Sequence, residues 1–306
     1  MVSQEQERNM KISEILKKDE LTISFEVFPP KKETSYENVR IATEKIAALK
    51  PSFMSVTYGA GGGTSNYTIG IAKNIRDKYQ VPIMPHLTCI SSTRERVRDQ
   101  IAAIREAGIE NVMALRGDIP ADLLDADRSE WAYHYAVELI RELREDSADF
   151  CIGGACYPEV HPESRNQRED ILHLKEKVEA GVDFLTTQMV FDNSLFFNFL
   201  YKLREAGVNV PVLPGIMPIT NGNQVEKAIK LSGSFMPQRF KSLVDKFGDD
   251  PDAMKQAGII YAADQIIDLY ANGITHVHVY SMNKPAVAEG ILDALKGMLG
   301  KDFSET

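Results

Sequence analysis

Ala107-Gly108-Ile109 ends one helical pattern and opens an apolar run, and the same turn returns as Ala180-Gly181-Val182, Ala206-Gly207-Val208 and Asn272-Gly273-Ile274. Glycine at such a point supplies the left-handed backbone that closes a helix. Its recurrence along 306 residues predicts helices alternating with strands, and that alternation implies parallel strands. Eight strand–helix units can be counted outward from these turns, with no linker or low-complexity segment between them. A closed (β/α)8 TIM barrel suits this better than the alternative, an open doubly wound sheet. A single domain over residues 1–306 is expected.

The first strand lies in Ile23-Ser24-Phe25-Glu26-Val27-Phe28-Pro29-Pro30-Lys31-Lys32. Ile23, Phe25 and Val27 alternate with Ser24 and Glu26, so Glu26 points away from its apolar neighbours. Pro29-Pro30 stops the strand. Further strands are expected at Phe53–Thr57, Pro82–His86, Asn111–Leu115, Cys151–Cys156, Asp183–Thr187, Val210–Pro214 and Thr275–Tyr280. Capping boxes are read at Thr34–Glu37 and Ser92–Glu95. Other helices are expected at Ser65–Tyr79, Glu130–Glu145, Ser164–Ala180, Ser194–Ala206, Gln224–Leu231 and Pro285–Leu299, with extra helix in Pro237–Tyr270 before the last strand. Residues 1–20 read as a polar helical lead-in with Ile12, Ile15 and Leu16 as its apolar stripe.

Composition sets outer limits. Lys and Arg number 35 against 44 Asp and Glu, a net charge of −9, which argues against nucleic acid or an anionic membrane as main partner. No apolar run reaches membrane-spanning length. The three cysteines, Cys89, Cys151 and Cys156, form no CxxC and no disulfide framework, and a cytoplasmic, reducing setting is expected. Cys151 and Cys156 are an odd number of residues apart and should face opposite sides of one strand.

Polar and glycine residues gather just past each strand: Glu26, Thr57-Tyr58-Gly59, His86, Arg116-Gly117-Asp118, Tyr157 to His161, Gln188, Gly215 and Lys284. Barrel enzymes carry their sites at that end. The run Gly59–Gly63 lacks the third glycine of a dinucleotide fingerprint, because Thr64 stands there. Arg116 and Asp118 could be an ion pair tightening their loop, or a cation and a carboxylate for a ligand. His276 and His278 share a strand face, a spacing that can bind metal, but no HxxxH helix or carboxylate partner accompanies them, and no metal site is expected. No nucleophile elbow is present.

The segments Ser24–Lys31, Ser55–Ala60, Pro85–Cys89, Ala114–Asp118, Tyr157–Pro162, Thr186–Gln188 and Pro214–Pro218 together resemble methylenetetrahydrofolate reductase, in order and from about Leu21 to Leu299. The resemblance implies a flavoprotein of one-carbon metabolism, feeding methionine biosynthesis. FAD would pass hydride from NADH or NADPH to 5,10-methylenetetrahydrofolate and give 5-methyltetrahydrofolate. By matching position, Glu26 is the general acid, with Phe25, Val27 and Phe28 as apolar neighbours. Asp118 is catalytic beside the flavin and the pterin. Gln188 reads the pterin edge, since an amide both donates and accepts. Gln224 and Lys284 lie near the folate. Thr57, Ala60, His86, Arg116, Gly117, Asp118, Tyr157, His161, Asp170 and Lys177 match FAD positions, Arg116 and Lys177 for the diphosphate and Asp170 for a ribose hydroxyl.

Some positions depart from the family pattern. The loop Ile119–Glu130 is only loosely similar, which bears on Tyr133 and His134 as adenosine contacts. His173 and Glu176 replace other polar residues on the FAD helix, and no aromatic stands around Ala228 to stack on a ligand. The large regulatory extension of animal and fungal relatives is not expected on this chain. A homo-oligomer is expected by likeness. Two other readings are a subunit receiving electrons from a redox partner protein, and a pterin-binding barrel transferring a methyl group to cobalamin without flavin.

Overall fold

The structure is a computed structural model, and it describes residues 9–300 apart from Lys31, residues 59–64, 120–122, 124, 130, 147 and 148. Eight parallel strands close in chain order: β1 (Thr22–Val27), β2 (Met54–Val56), β3 (Ile83–Thr88), β4 (Asn111–Leu115), β5 (Cys151–Cys156), β6 (Phe184–Met189), β7 (Val212–Ile216) and β8 (His276–Tyr280). At the seam Thr22 pairs with His276 and Glu26 with Tyr280. The closed (β/α)8 barrel predicted from the recurring turn is therefore the architecture. Gly108, Gly181, Gly207 and Gly273 have φ of +67°, +114°, +81° and +86°. Each is followed by the same backbone bond, as in Ile109 N to Ile104 O (3.2 Å) and Ile274 N to Leu269 O (2.9 Å).

The helices are α1 (Ile12–Ile15), α2 (Tyr36–Ala48), α3 (Ser65–Tyr79), α4 (Arg94–Glu106), α5 (Ala136–Glu145), α6 (Gln167–Glu179), α7 (Asn193–Glu205), α8 (Gln224–Ser232), α9 (Gln238–Phe247), α10 (Pro251–Ala271) and α11 (Pro285–Leu299). Among the described residues no helix is long and apolar enough to cross a membrane.

Several helix starts differ from the sequence reading, each for a local reason. A 3-10 turn, Glu33–Ser35, precedes α2, and Glu37 binds Arg40 instead of closing a capping box. The cap of α4 is Thr93, one residue later than read, with its Oγ1 accepting from Arg96 N at 3.2 Å. Helix α5 begins at Ala136, six residues late, because the Glu138 carboxylate accepts from His134 N (2.6 Å) and Tyr135 N (2.8 Å). Asn166 Oδ1 accepts from Glu169 N at 3.0 Å and delays α6 in the same way.

Ile23, Phe25 and Val27 face outward into the shell of helices and are almost wholly buried. The strand period sends Ser24 and Glu26 inward. At the N-terminal end the interior is closed by α1, where Ile12, Ile15 and Leu16 pack on Phe53, Met84, Met113, Cys151, Phe184 and Leu213. Cys151 thus faces in while Cys156 joins the outer core, as their spacing requires.

The extra segment before β8 is two helices, α9 and α10. Asp250 caps α10 through Asp252 N and Ala253 N, both at 3.1 Å, and Phe191, Phe240 and Tyr261 form an aromatic cluster beneath. Helix α10 presses on the loop after β7: a Cβ at Gly258 would lie 1.8 Å from Ile219 O. The insertion therefore fixes the loop after β7.

Candidate active site

Glu26 ends the inward face of β1. Its Oε2 lies 3.5 Å from His86 Nε2 on β3 and 3.8 Å from His278 Nε2 on β8. His278 is itself held: Ser24 Oγ donates to Val277 O (3.0 Å), so His278 Nδ1 donates to Ser24 Oγ (2.7 Å). Its Nε2 is then the bare nitrogen, accepting from Ser55 Oγ at 3.2 Å. His86 Nε2 is buried with no hydrogen-bond partner. Burial holds His86 below the usual histidine range; Glu26 opposes this and His278 adds to it. A buried orphan nitrogen costs free energy until something pairs with it. The apolar neighbours expected for Glu26 lie elsewhere, since Phe25 and Val27 point to the outer core.

Arg116-Gly117-Asp118 follows β4. Arg116 O accepts from Cys89 N (3.2 Å) and Ile90 N (2.8 Å), pinning the turn. Gly117 has φ +90°, and a Cβ there would sit 2.9 Å from Thr88 Cβ. Arg116 does not pair with Asp118. Its two terminal nitrogens grip both oxygens of Glu163, from the loop after β5, while Asp118 lines the cavity.

That β5 loop is tied from within. Asp170 on α6 accepts from His161 N (3.1 Å) and Ser164 Oγ (3.2 Å). Glu163 N donates to His161 Nδ1 (3.1 Å), which leaves the proton of the neutral ring on Nε2. Tyr157 packs edge-on to His161 at 4.6 Å, and burial pushes its phenol up to about 12. Lys177 is half-buried, its Nζ donating to Ala155 O at 3.0 Å. Burial pulls its pKa down, and Cys156 and Asp170 oppose this.

Gln188 sits where β6 carries one residue more than β7, between the pairs Thr186–Leu213 and Met189–Gly215. Its Oε1 accepts from Met189 N at 2.9 Å, so the amide NH2 is the end left for a ligand. Tyr280, inward on β8, donates to Thr187 O at 2.6 Å.

These residues bound one cavity of about 1180 Å³, running from Glu26, His278 and Tyr280 past Thr57, Arg116, Asp118, Tyr157 and Gln188 to His173 and Glu176 on α6. Gln224 and Lys284 are not on its wall. They meet at Thr220, whose N donates to Gln224 Oε1 (3.1 Å) and whose Oγ1 accepts from Lys284 Nζ (2.9 Å). Ala60 and the glycine run lie outside the described residues.

The sequence reading missed several wall residues. Tyr133 is fully buried with its hydroxyl on Glu142, so it is no ligand contact; Tyr135 reaches the cavity instead and stacks on His173, with centroids 6.3 Å apart. His278 and Tyr280 could have been found from the inward period of His276-Val277-His278-Val279-Tyr280. Glu163 had no local signal, since its partner is 47 residues away. The histidine spacing on β8 has a different use: His276 lies at the opposite end, between Thr22 Oγ1 (2.8 Å) and Leu16 O (3.0 Å). Among the described residues no three His, Cys, Asp or Glu side chains form a metal-binding group.

Fold and cavity together define a (β/α)8 barrel with a polar, acid-bearing cleft at the C-terminal ends of its strands. A sequence profile described as methylenetetrahydrofolate reductase matches residues 11–296. The 5,10-methylenetetrahydrofolate reductase of Escherichia coli is 33% identical over 293 residues, covering 96% of each chain. The chain belongs to the methylenetetrahydrofolate reductase family. The Arabidopsis thaliana protein named methylenetetrahydrofolate reductase (NADH) 1 is 33% identical over 92% of this chain, which spans about half, 49%, of that relative's length. A Clostridium thermocellum structure described as binding two copies of 5-methyltetrahydrofolic acid superposes with a TM-score of 0.65 over 95% of this chain and 99% of that one, at 14% identity. That likeness concerns the fold alone.

Proposed function

We propose that this chain reduces 5,10-methylenetetrahydrofolate to 5-methyltetrahydrofolate, with FAD as cofactor and NADH or NADPH as donor. The observation carrying this reading is the meeting of Glu26, Asp118 and Gln188, from β1, the β4 turn and β6, on the wall of one cavity. The reaction places a hydride on the one-carbon unit and a proton on the amine nitrogen that leaves it. Glu26 supplies that proton as the five-membered ring opens. Asp118 and Gln188 hold the pterin, the carboxylate accepting from its N–H groups and the free amide NH2 donating to a ring acceptor.

The residues present fit a flavin dinucleotide. The cavity exceeds the size needed for a drug-sized ligand, and the enclosed His86 Nε2 awaits a partner. Arg116 and Lys177 bring cations to the wall, and Asp170 retains acceptor capacity beyond its two loop bonds. Thr57, His86, Gly117, Tyr157 and His161 would complete the flavin's surroundings. Bound FAD supplies the hydride relay between nicotinamide and folate. An Arabidopsis relative that carries NADH in its name favours that donor.

The test is anaerobic and optical. Protein supplied with FAD should bleach with NADH or NADPH and regain its flavin absorbance on adding 5,10-methylenetetrahydrofolate. Protein that takes up no FAD would overturn the reading. Flavin bleached only by a redox partner protein would replace the nicotinamide donor with that partner.

A further inference from the structure

The irregular join between β6 and β7 has a chemical cause. Thr187 and Gln188 together stand opposite Pro214 alone, and Pro214 has no N–H to offer the strand ladder. The next donor, Gly215 N, bonds to the Thr187 hydroxyl at 2.8 Å. The same hydroxyl donates to Gln188 O at 2.7 Å, and Tyr280 Oη donates to Thr187 O at 2.6 Å. Gly215 has no room for a side chain here: a Cβ would lie 2.5 Å from Thr187 O and 2.7 Å from Tyr280 Oη. Thr187 is only 1% exposed, and its hydroxyl is engaged on both sides by the chain itself.

We propose that Thr187 is the positioning residue for Gln188, its hydroxyl bridging Gly215 N and the Gln188 carbonyl beside a proline that offers no ladder donor, and so fixing the bulge that turns the Gln188 amide into the cavity. This rests on the folate-reducing function proposed above. The bulge has one extra residue, and such a residue needs something other than the regular ladder to set its direction. Thr187 does this from both sides, accepting from β7 and donating to the Gln188 carbonyl. Tyr280 locks the peptide from β8, so three strands converge on the amide that meets the substrate. Gln188 gains its orientation from a neighbour whose own hydroxyl is given over to the backbone.

The experiment is a double-mutant cycle on the FAD-loaded protein, with the two half-reactions read separately. Thr187→Val keeps the volume and removes the hydroxyl. It should raise KM for 5,10-methylenetetrahydrofolate on the order of 10-fold, while bleaching of the flavin by the nicotinamide donor stays within about twofold of wild type. Thr187→Ser should restore the wild-type KM. In a Gln188→Ala background, Thr187→Val should change KM by less than about twofold, because the residue it positions is gone. An undiminished rise in that background, or a wild-type KM for Thr187→Val, overturns the assignment. If Thr187→Val does not fold, Thr187→Ala goes through the same cycle, and the same two results would overturn the assignment. Wild-type protein whose reduced flavin is not reoxidised by the folate would instead defeat the proposed function, and this assignment with it.

Discussion

At the N-terminal mouth of the barrel, polar side chains bind the chain itself. Asn111 Oδ1 accepts from Ile12 N at 2.8 Å, its Nδ2 reaches Met10 O and Ile83 O at 3.3 Å, and both ring nitrogens of His276 are engaged. At the C-terminal mouth the same residue types are left short. His86 Nε2 has no partner, and Glu26 stands 3.5 and 3.8 Å from two imidazoles without a hydrogen bond to either. Both ends lie on the same strands and are built by the same alternation. The difference is α1, whose backbone satisfies one end and seals it, while the other keeps its unmet hydrogen-bonding capacity for a ligand. Substitutions at the two ends should therefore separate activity from stability.

The strongest break is expected at Glu26. Glu26→Gln keeps the shape and removes the transferable proton, so folate-dependent reoxidation should slow about 10²–10⁴-fold, while bleaching by the nicotinamide donor continues. Single-turnover stopped-flow on the two half-reactions would show this. Equal rates of folate reduction in variant and wild type would remove Glu26 from the chemistry.

Gly258 on α10 tests the C-terminal end from behind. Gly258→Ala forces a methyl toward Ile219 O, where the ideal separation is 1.8 Å, and the loop carrying Thr220 must move. Overpacking of this kind costs about 1–3 kcal/mol. Thr220 joins Gln224 to Lys284, the two residues that the family resemblance puts near the folate, so KM for the folate should rise along with the loss of stability. Denaturant unfolding paired with folate kinetics reads both, and a destabilised variant with unchanged KM would cut the link from α10 to the site.

The barrel was legible because glycine turns and strand alternation are local and repeat. That Glu26, Asp118 and Gln188 would gather at one end of the barrel was legible because each sits beside a strand end in a recognisable segment. The Thr187–Gly215 bond was not, since a bulge depends on how β6 meets β7 and not on either strand alone. Tyr133 was misplaced for a similar reason. Its loop carries no periodicity, and only the buried partner Glu142, on α5, shows which of the neighbouring aromatic side chains turns inward.

Asn111 offers the complementary break at the sealed end. Asn111→Ala leaves the buried Ile12 N without its acceptor, which should destabilise the fold by roughly 1–3 kcal/mol. Both half-reactions should keep wild-type rate constants at a temperature where the variant is folded. A change in folate KM would show that α1 and the catalytic end are coupled through the barrel interior.

The smallest effect sharpens the contrast by pH. His276 and His86 are both held below the usual histidine range, first by burial; Leu16 O and Asp19 oppose this at His276, while Glu26 opposes and His278 reinforces it at His86. A histidine whose value falls on folding binds fewer protons folded than unfolded, so it makes stability rise with pH. That contribution is present above about 6.5, the unfolded value, and declines as pH falls from there toward the lower folded value. His276→Asn and His86→Asn should each flatten the stability profile below that pH. At His276 the flattening should come without change in the pH dependence of folate reduction, because that ring lies at the sealed end. At His86 the two profiles should move together, since the carboxyl it faces is the proposed acid. A shift of the catalytic profile in His276→Asn equal to that in His86→Asn would erase the distinction between the two mouths.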